Sequence, residues 1–155
     1  MIRLKSEYIW FPARVFIGLV FFYAGFQKLI EPVENFRGVI AEYQVLSYGW
    51  VGAAAAGVPW AEVFAGAFLV LGFLPRPAAL LASLLSLGFL LLLGLSYWKL
   101  GKFPDSCGCF GEGGIKLTVP QVIALDTLNF FLGLRLFFLK GHPLSLSSWF
   151  RGQKA

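Results

Sequence analysis

The sequence predicts an all-α integral membrane protein: a bundle of four transmembrane helices with a short interfacial helix between the first and the second. Three observations predict it. The chain of 155 residues is 58% hydrophobic and 14% charged, against roughly 45–50% apolar and about 25% charged in an ordinary soluble domain. Its mean hydropathy is +0.75. Its apolar residues gather into runs of about 20, the length a helix needs to cross a hydrocarbon core of about 30 Å.

The first span covers residues 8–30, where Arg14 and Lys28 enclose 13 uncharged residues. It crosses with both cations snorkelling or paired. It is longer than the roughly 7–15-residue apolar core of a signal peptide and lacks a clear A-x-A cleavage site, so it is expected to stay in the mature chain. Next, Val33, Phe36, Ile40, Tyr43 and Leu46 recur at three- and four-residue steps. That pattern predicts a short amphipathic helix at the interface, with Pro32 at its first position. It serves as a shield for the end of the bundle, or as a lid or partner surface.

The second span, residues 49–74, carries one charge, Glu62. Its GAAAAG run, with Ala61 and Ala65, supplies small residues that let membrane helices approach closely. Pro75-Arg76-Pro77 is read as the turn into the third span, residues 78–99, which is uncharged as far as Lys99. The fourth, residues 117–140, holds Asp126, Asn129 and Arg135 within its apolar length. One membrane domain, residues 1–155, results.

The net charge of +5 does not point to nucleic acid, because no basic run or aromatic-basic alternation accompanies it. The charges report topology instead. Arg3, Lys5, Arg14, Arg76, Lys140, Arg151 and Lys154 share the side of the termini; Lys28, Arg37, Lys99, Lys102 and Lys116 lie on the other. The positive-inside rule then sets both termini in the cytoplasm of a bacterial-type inner membrane. The loop of residues 103–116 faces outward.

That loop, FPDSCGCFGEGGIK, contains both cysteines of the chain. A structural disulfide removes loop entropy by tying distant segments, and a bridge from Cys107 to Cys109 would remove almost none. The small ring would be strained and readily reduced, which suits electron exchange better than stapling. Gly108 gives the ring backbone freedom. Two other readings stay open: an inert clasp, and capture of a soft ion such as Cu(I) between two thiolates. Zinc or an iron–sulfur cluster wants more ligands, and His142 lies at the opposite face.

Glu62 and Asp126 are the deepest ionisable groups, about 20 Å and about 13 Å along their helices at 1.5 Å per residue. Such groups pair, line a cavity or function. Arg14, Lys28 and Arg135 are the candidate partners, and a proton route or a polar headgroup site is the other reading.

Arg14, Gly18, Ala24-Gly25 and Lys28-Leu29, followed by Glu62, Gly66, Leu69-Val70-Leu71-Gly72-Phe73 and Arg76-Pro77-Ala78-Ala79, resemble the first two helices of DoxX-like membrane proteins. Ser106-Cys107-Gly108-Cys109-Phe110-Gly111 looks like the cysteine motif of the MauE family, with Asp126 in the helix that follows. The resemblance covers residues 8–139 and implies a four-helix membrane protein. MauE relatives assist maturation of methylamine dehydrogenase, a disulfide-rich enzyme, alongside a thioredoxin-like partner. It carries over Cys107, Cys109, Phe110 and Gly111 as the loop motif, and Arg14, Lys28, Glu62 and Asp126 as the polar positions.

The expected function is thus a membrane thiol–disulfide carrier in which Cys107 and Cys109 exchange with an extracytoplasmic thioredoxin-like protein. The alternatives are a transporter of a soft metal or small sulfur compound and a non-catalytic assembly factor. A quinone docked between the bundle and the interfacial helix is an extension by analogy with other four-helix membrane oxidoreductases.

Overall fold

The computed structural model describes residues 2–101, 103, 110, 115 and 117–139. Among these the chain forms five helices and no strand: α1 (Ile2–Ile30), α2 (Val33–Glu42), α3 (Tyr48–Leu71), α4 (Pro75–Leu100) and α5 (Val119–Phe138). Four are long and apolar enough to cross a bilayer, over Trp10–Ile30, Gly49–Leu71, Pro75–Leu100 and Val119–Phe138. The short α2 stands between the first and second of them.

Local chemistry sets the helix ends. Gly72 adopts a left-handed φ of 68°, and the Phe73 N–H donates back to the Phe68 carbonyl at 3.0 Å. This closing pattern ends α3 at Leu71. The connection is therefore Gly72–Leu74, and not Pro75-Arg76-Pro77 as the sequence suggested. Both prolines sit in the first turn of α4, where a fixed φ suits the helix and the missing N–H would have had no helical acceptor. Pro32 likewise precedes the first helical residue of α2 instead of occupying it. At the start of α5 the Thr118 N–H donates to Gln121 Oε1 at 2.9 Å, which satisfies a donor that the helix itself leaves open.

Two pairings dominate the bundle, α1 with α3 and α4 with α5, and α3 joins the pairs through α4. Glycine makes the first possible. A Cβ on Gly66 would collide with the backbone of Phe22; one on Gly25 would fall 2.6 Å from the Pro59 carbonyl oxygen and 2.8 Å from Glu62 Cβ. The α1 and α3 backbones touch there, as small residues permit in membrane helices. Between α4 and α5, a Cβ on Gly133 would meet the Ser83 hydroxyl. That hydroxyl donates to the Ala79 carbonyl at 2.9 Å and reaches the Phe130 carbonyl at 3.3 Å. The GAAAAG run has a different fate from the one expected: only Ala55 in it is buried, and Gly52 and Gly57 face open space.

The glycine contacts also fix the relative height of the helices. With Gly25 opposite Pro59 and Glu62, the end of α1 at Ile30 is level with the middle of the N-terminal half of α3. α3 therefore projects roughly 10 Å beyond α1, at 1.5 Å per residue. α2 folds into that step, burying Phe36 and Ile40 against Val51 and Ala55. Its Val39 and the following Tyr43 join a second cluster with Ala24, Leu93, Phe110 and Val122. Of the apolar stripe read from the sequence, Phe36, Ile40 and Tyr43 are buried, whereas Val33 is exposed. Two side chains tie the connections down: Lys99 donates to the Gln44 carbonyl at 2.6 Å, and Arg76 Nε to the Leu139 carbonyl at 3.1 Å.

Gly66→Ala is expected to destabilise the bundle by about 1–3 kcal/mol, the usual penalty of overpacking. Gly57→Ala, which meets nothing, is expected to stabilise α3 by about 0.5–1 kcal/mol. Thermal unfolding of the two variants in one detergent checks the contrast, and equal shifts would contradict the α1–α3 contact.

Candidate functional site

The α1–α3 contact brings two opposite charges together in an apolar interior. Lys28 Nζ lies 2.7 Å from both Glu62 Oε1 and Oε2, and their side chains are 0% and 2% exposed. Two rings flank the ammonium: Phe36 of α2 at 5.1 Å and Phe89 of α4 at 5.0 Å, measured to the ring centroids. The negative faces of the rings complement the cation where water is excluded. Of the three cations considered as partners for Glu62, Lys28 is the one that meets it. It pairs and does not snorkel, because α2 covers the end of α1 and removes the path to the surface.

Arg14 is 2% exposed, with its guanidinium 5.2 Å from the Phe11 ring centroid, half a bundle away from Lys28 along α1. Arg135 is exposed and stands 5.9 Å from the Trp10 ring centroid. Asp126 is buried and takes part in the interior of the bundle.

Glu62 has a second neighbourhood. With Asp126 and Asn129 of α5 it lines a small cavity of about 20 Å³ whose wall also includes Val20, Ala24, Phe89 and Phe110. Every long helix contributes. Phe110 is the one motif residue of the cysteine loop among the described residues, and it is buried. Its ring stands 6.0 Å from that of Tyr23. Cys107, Cys109 and Gly111 lie outside the described residues. Phe110, the residue after Cys109, is itself seated in the bundle, packed with Val39 and Tyr43 on the α2 side and with Leu93 and Val122.

A separate groove with about 120 Å³ of free space opens between α2, α3 and α4. Phe36, Ile40, Ala54, Val58, Gly88 and Phe89 are among its lining residues, all apolar. It occupies the place where a quinone was expected. The residues suit an isoprenoid tail, but no polar side chain in the lining would hold a quinone carbonyl, and Lys28 behind the two rings is engaged with Glu62. The site does not fit the head group. Among the described residues no three His, Cys, Asp or Glu side chains gather in metal-binding proximity.

A family model described as "Methylamine utilisation protein MauE" matches residues 6–141. The chain belongs to the MauE family. It is 33% identical over 115 residues to "Methylamine utilization protein MauE" of Paracoccus denitrificans. The alignment takes in 74% of this chain and 60% of that relative, so the chain spans less than two thirds of the relative's length. No solved structure matches. The buried ion pair, the cavity and both cysteines of this MauE-family chain all fall inside the stretch that the family model covers.

Sequence reasoning singled out Lys28, Glu62, Asp126 and Phe110, and the structure brings Glu62 with Lys28 on one side and with Asp126 and Phe110 on the other. It missed Asn129 as a site residue, although a polar amide one helical turn after Asp126 was a readable signal. Phe36 and Phe89 left no such signal, because a ring over a lysine from another helix looks like any core phenylalanine.

Removing one partner strands a buried charge. Glu62→Gln and Lys28→Met are each expected to cost about 3–5 kcal/mol, and the double variant Lys28→Met/Glu62→Met to recover most of the loss. Thermal unfolding of the three proteins in lipid nanodiscs measures this. A double variant no better than the worse single would mean that the pair is not the source of the cost.

Proposed function

We propose that this MauE-family protein is a membrane thiol–disulfide carrier acting in methylamine utilisation, in support of the maturation of a disulfide-containing partner enzyme. The observation that carries the reading is the seat of Phe110: a C-x-C pair on a loop whose next residue is buried among the helices. Family membership supports the pathway, and the name of the Paracoccus denitrificans relative supplies its description. The one-residue spacing supports exchange over stapling, since the ring it closes is small and strained.

The exchange balances without a cofactor. One thiolate of the Cys107–Cys109 pair attacks the disulfide of a thioredoxin-like partner, forming a mixed disulfide and releasing a partner thiolate. The second thiol of the pair, as its thiolate, attacks the mixed disulfide. The products are the Cys107–Cys109 disulfide and a reduced partner, with two electrons passed to the partner. Run backward, the same steps oxidise the partner.

The reading places the cysteine loop outside the cytoplasm and both termini inside. When buried Arg14 and Lys28 are set aside, the cation count between the two sides is six to four, which supports the same orientation under the positive-inside rule.

Cys107→Ser or Cys109→Ser is expected to trap a mixed disulfide with a thioredoxin-like extracytoplasmic protein, read by non-reducing gels and mass spectrometry. Thiols that stay reduced in the presence of oxidised partners overturn the carrier. Copurifying copper lost in either variant would turn the reading to soft-metal delivery. A membrane-impermeant maleimide is expected to label the reduced thiols of intact cells, and labelling that requires lysis would reverse the orientation.

A further inference from the structure

We propose that the cavity between the four long helices binds a water molecule that links Asn129 to the Glu62 and Asp126 carboxyl groups, with Phe110 as its stopper on the cysteine-loop side. Asn129 is 1% exposed, and among the described residues its Nδ2 and its Oδ1 find no hydrogen-bond partner. An amide brings two N–H donors and a carbonyl acceptor. Burying all of them without partners is costly, and hydrocarbon at this depth supplies none. The amide needs something that both accepts and donates.

The cavity is suited to provide it. Its free space admits about one water molecule, above the minimum a buried water requires. A buried water also wants roughly two to four polar partners, and the lining offers three polar side chains, Glu62, Asp126 and Asn129. Asn129 follows Asp126 by one helical turn, so the two point to the same side of α5. Each Glu62 oxygen accepts from Lys28 and keeps lone-pair capacity for a further donor. An apolar ligand of the same size would leave the amide as it was.

Such a water gives the interior a continuous hydrogen-bonded line, from Lys28 through Glu62 to the water and on to Asp126 and Asn129. A proton can be shared between the two carboxyl groups along it with no movement of the backbone. The site does not depend on the carrier reading. It would be present whether or not the cysteines exchange electrons.

Hydroxyl-radical footprinting of the full chain in lipid nanodiscs tests it, because radicals formed from a bound internal water modify the side chains beside it. Corrected for the intrinsic radical reactivity of each side-chain type, the buried Phe21 and Phe110 of the cavity wall are expected to be modified several-fold more than Leu69 and Leu136, which are buried and stand outside the cavity. In Asn129→Leu, with the fold checked by circular dichroism and gel filtration, that excess is expected to disappear. Should Asn129→Leu fail to fold, Asn129→Ala, which removes the amide, is expected to lower the excess, and an unchanged excess overturns the link to Asn129. Background modification of Phe21 and Phe110 in the unaltered protein overturns the proposal. So does an Asn129→Leu variant with a raised melting midpoint and unchanged footprint, the behaviour of a dry amide whose removal only relieves a penalty.

Discussion

A lysine and a glutamate that share a dry interior impose conditions on everything around them. The Lys28–Glu62 contact, at 2.7 Å to both oxygens, requires the backbones of α1 and α3 to touch, since an ion pair in a low-dielectric medium repays its desolvation only with close, well-directed geometry. Gly25 and Gly66 meet that condition directly beside the pair. A cover is the second condition. α1 ends well short of α3, and a bare step there would leave Lys28 facing headgroups; α2 fills the step and lays Phe36 over the ammonium. The short helix is thus as much a part of the charge site as the helices that bear the charges.

The same contact organises the other half of the bundle. Glu62 faces Lys28 with its carboxylate and also borders the cavity that α5 completes with Asp126 and Asn129. α5 reaches that position because Ser83 and Gly133 let it lie close against α4. Phe89 belongs to both sides, flanking the ammonium and walling the cavity. At least one residue from each long helix is therefore committed to a polar centre that lipid could not solvate. Packing alone would have tolerated many other sequences at these positions.

Much of this was legible in the sequence. Four apolar runs gave the four long helices, and the three- and four-residue steps after Pro32 gave α2, because periodicity is a local property. Glu62, Lys28 and Asp126 stood out because charge is rare and expensive in such runs. What the sequence hid was the height of one helix against another. Lys28 lies two residues from the end of α1 and looked free to snorkel; its burial comes from Gly25 sitting opposite Pro59 and Glu62, a long-range register. The proline turn was misplaced for a local reason, because Pro75 and Pro77 break helices in mid-run but begin them well, and Gly72 was the stronger stop signal. Asn129 was visible and was passed over beside the more conspicuous Asp126.

The buried ring of Phe110 also sets a limit on reach. Consecutive Cα atoms stand 3.80 Å apart, and an extended chain spans at most about 3.6 Å per residue. Measured from Phe110, Cys109 has one link of slack, and Cys107 stays within about 11 Å. While that ring is seated, covalent geometry allows the chain from Phe110 to Cys107 no longer arm than this. Under the carrier proposal, a partner would therefore have to bring its own sulfur to the seat of Phe110, and the search would be shortest for a partner itself held near the bilayer.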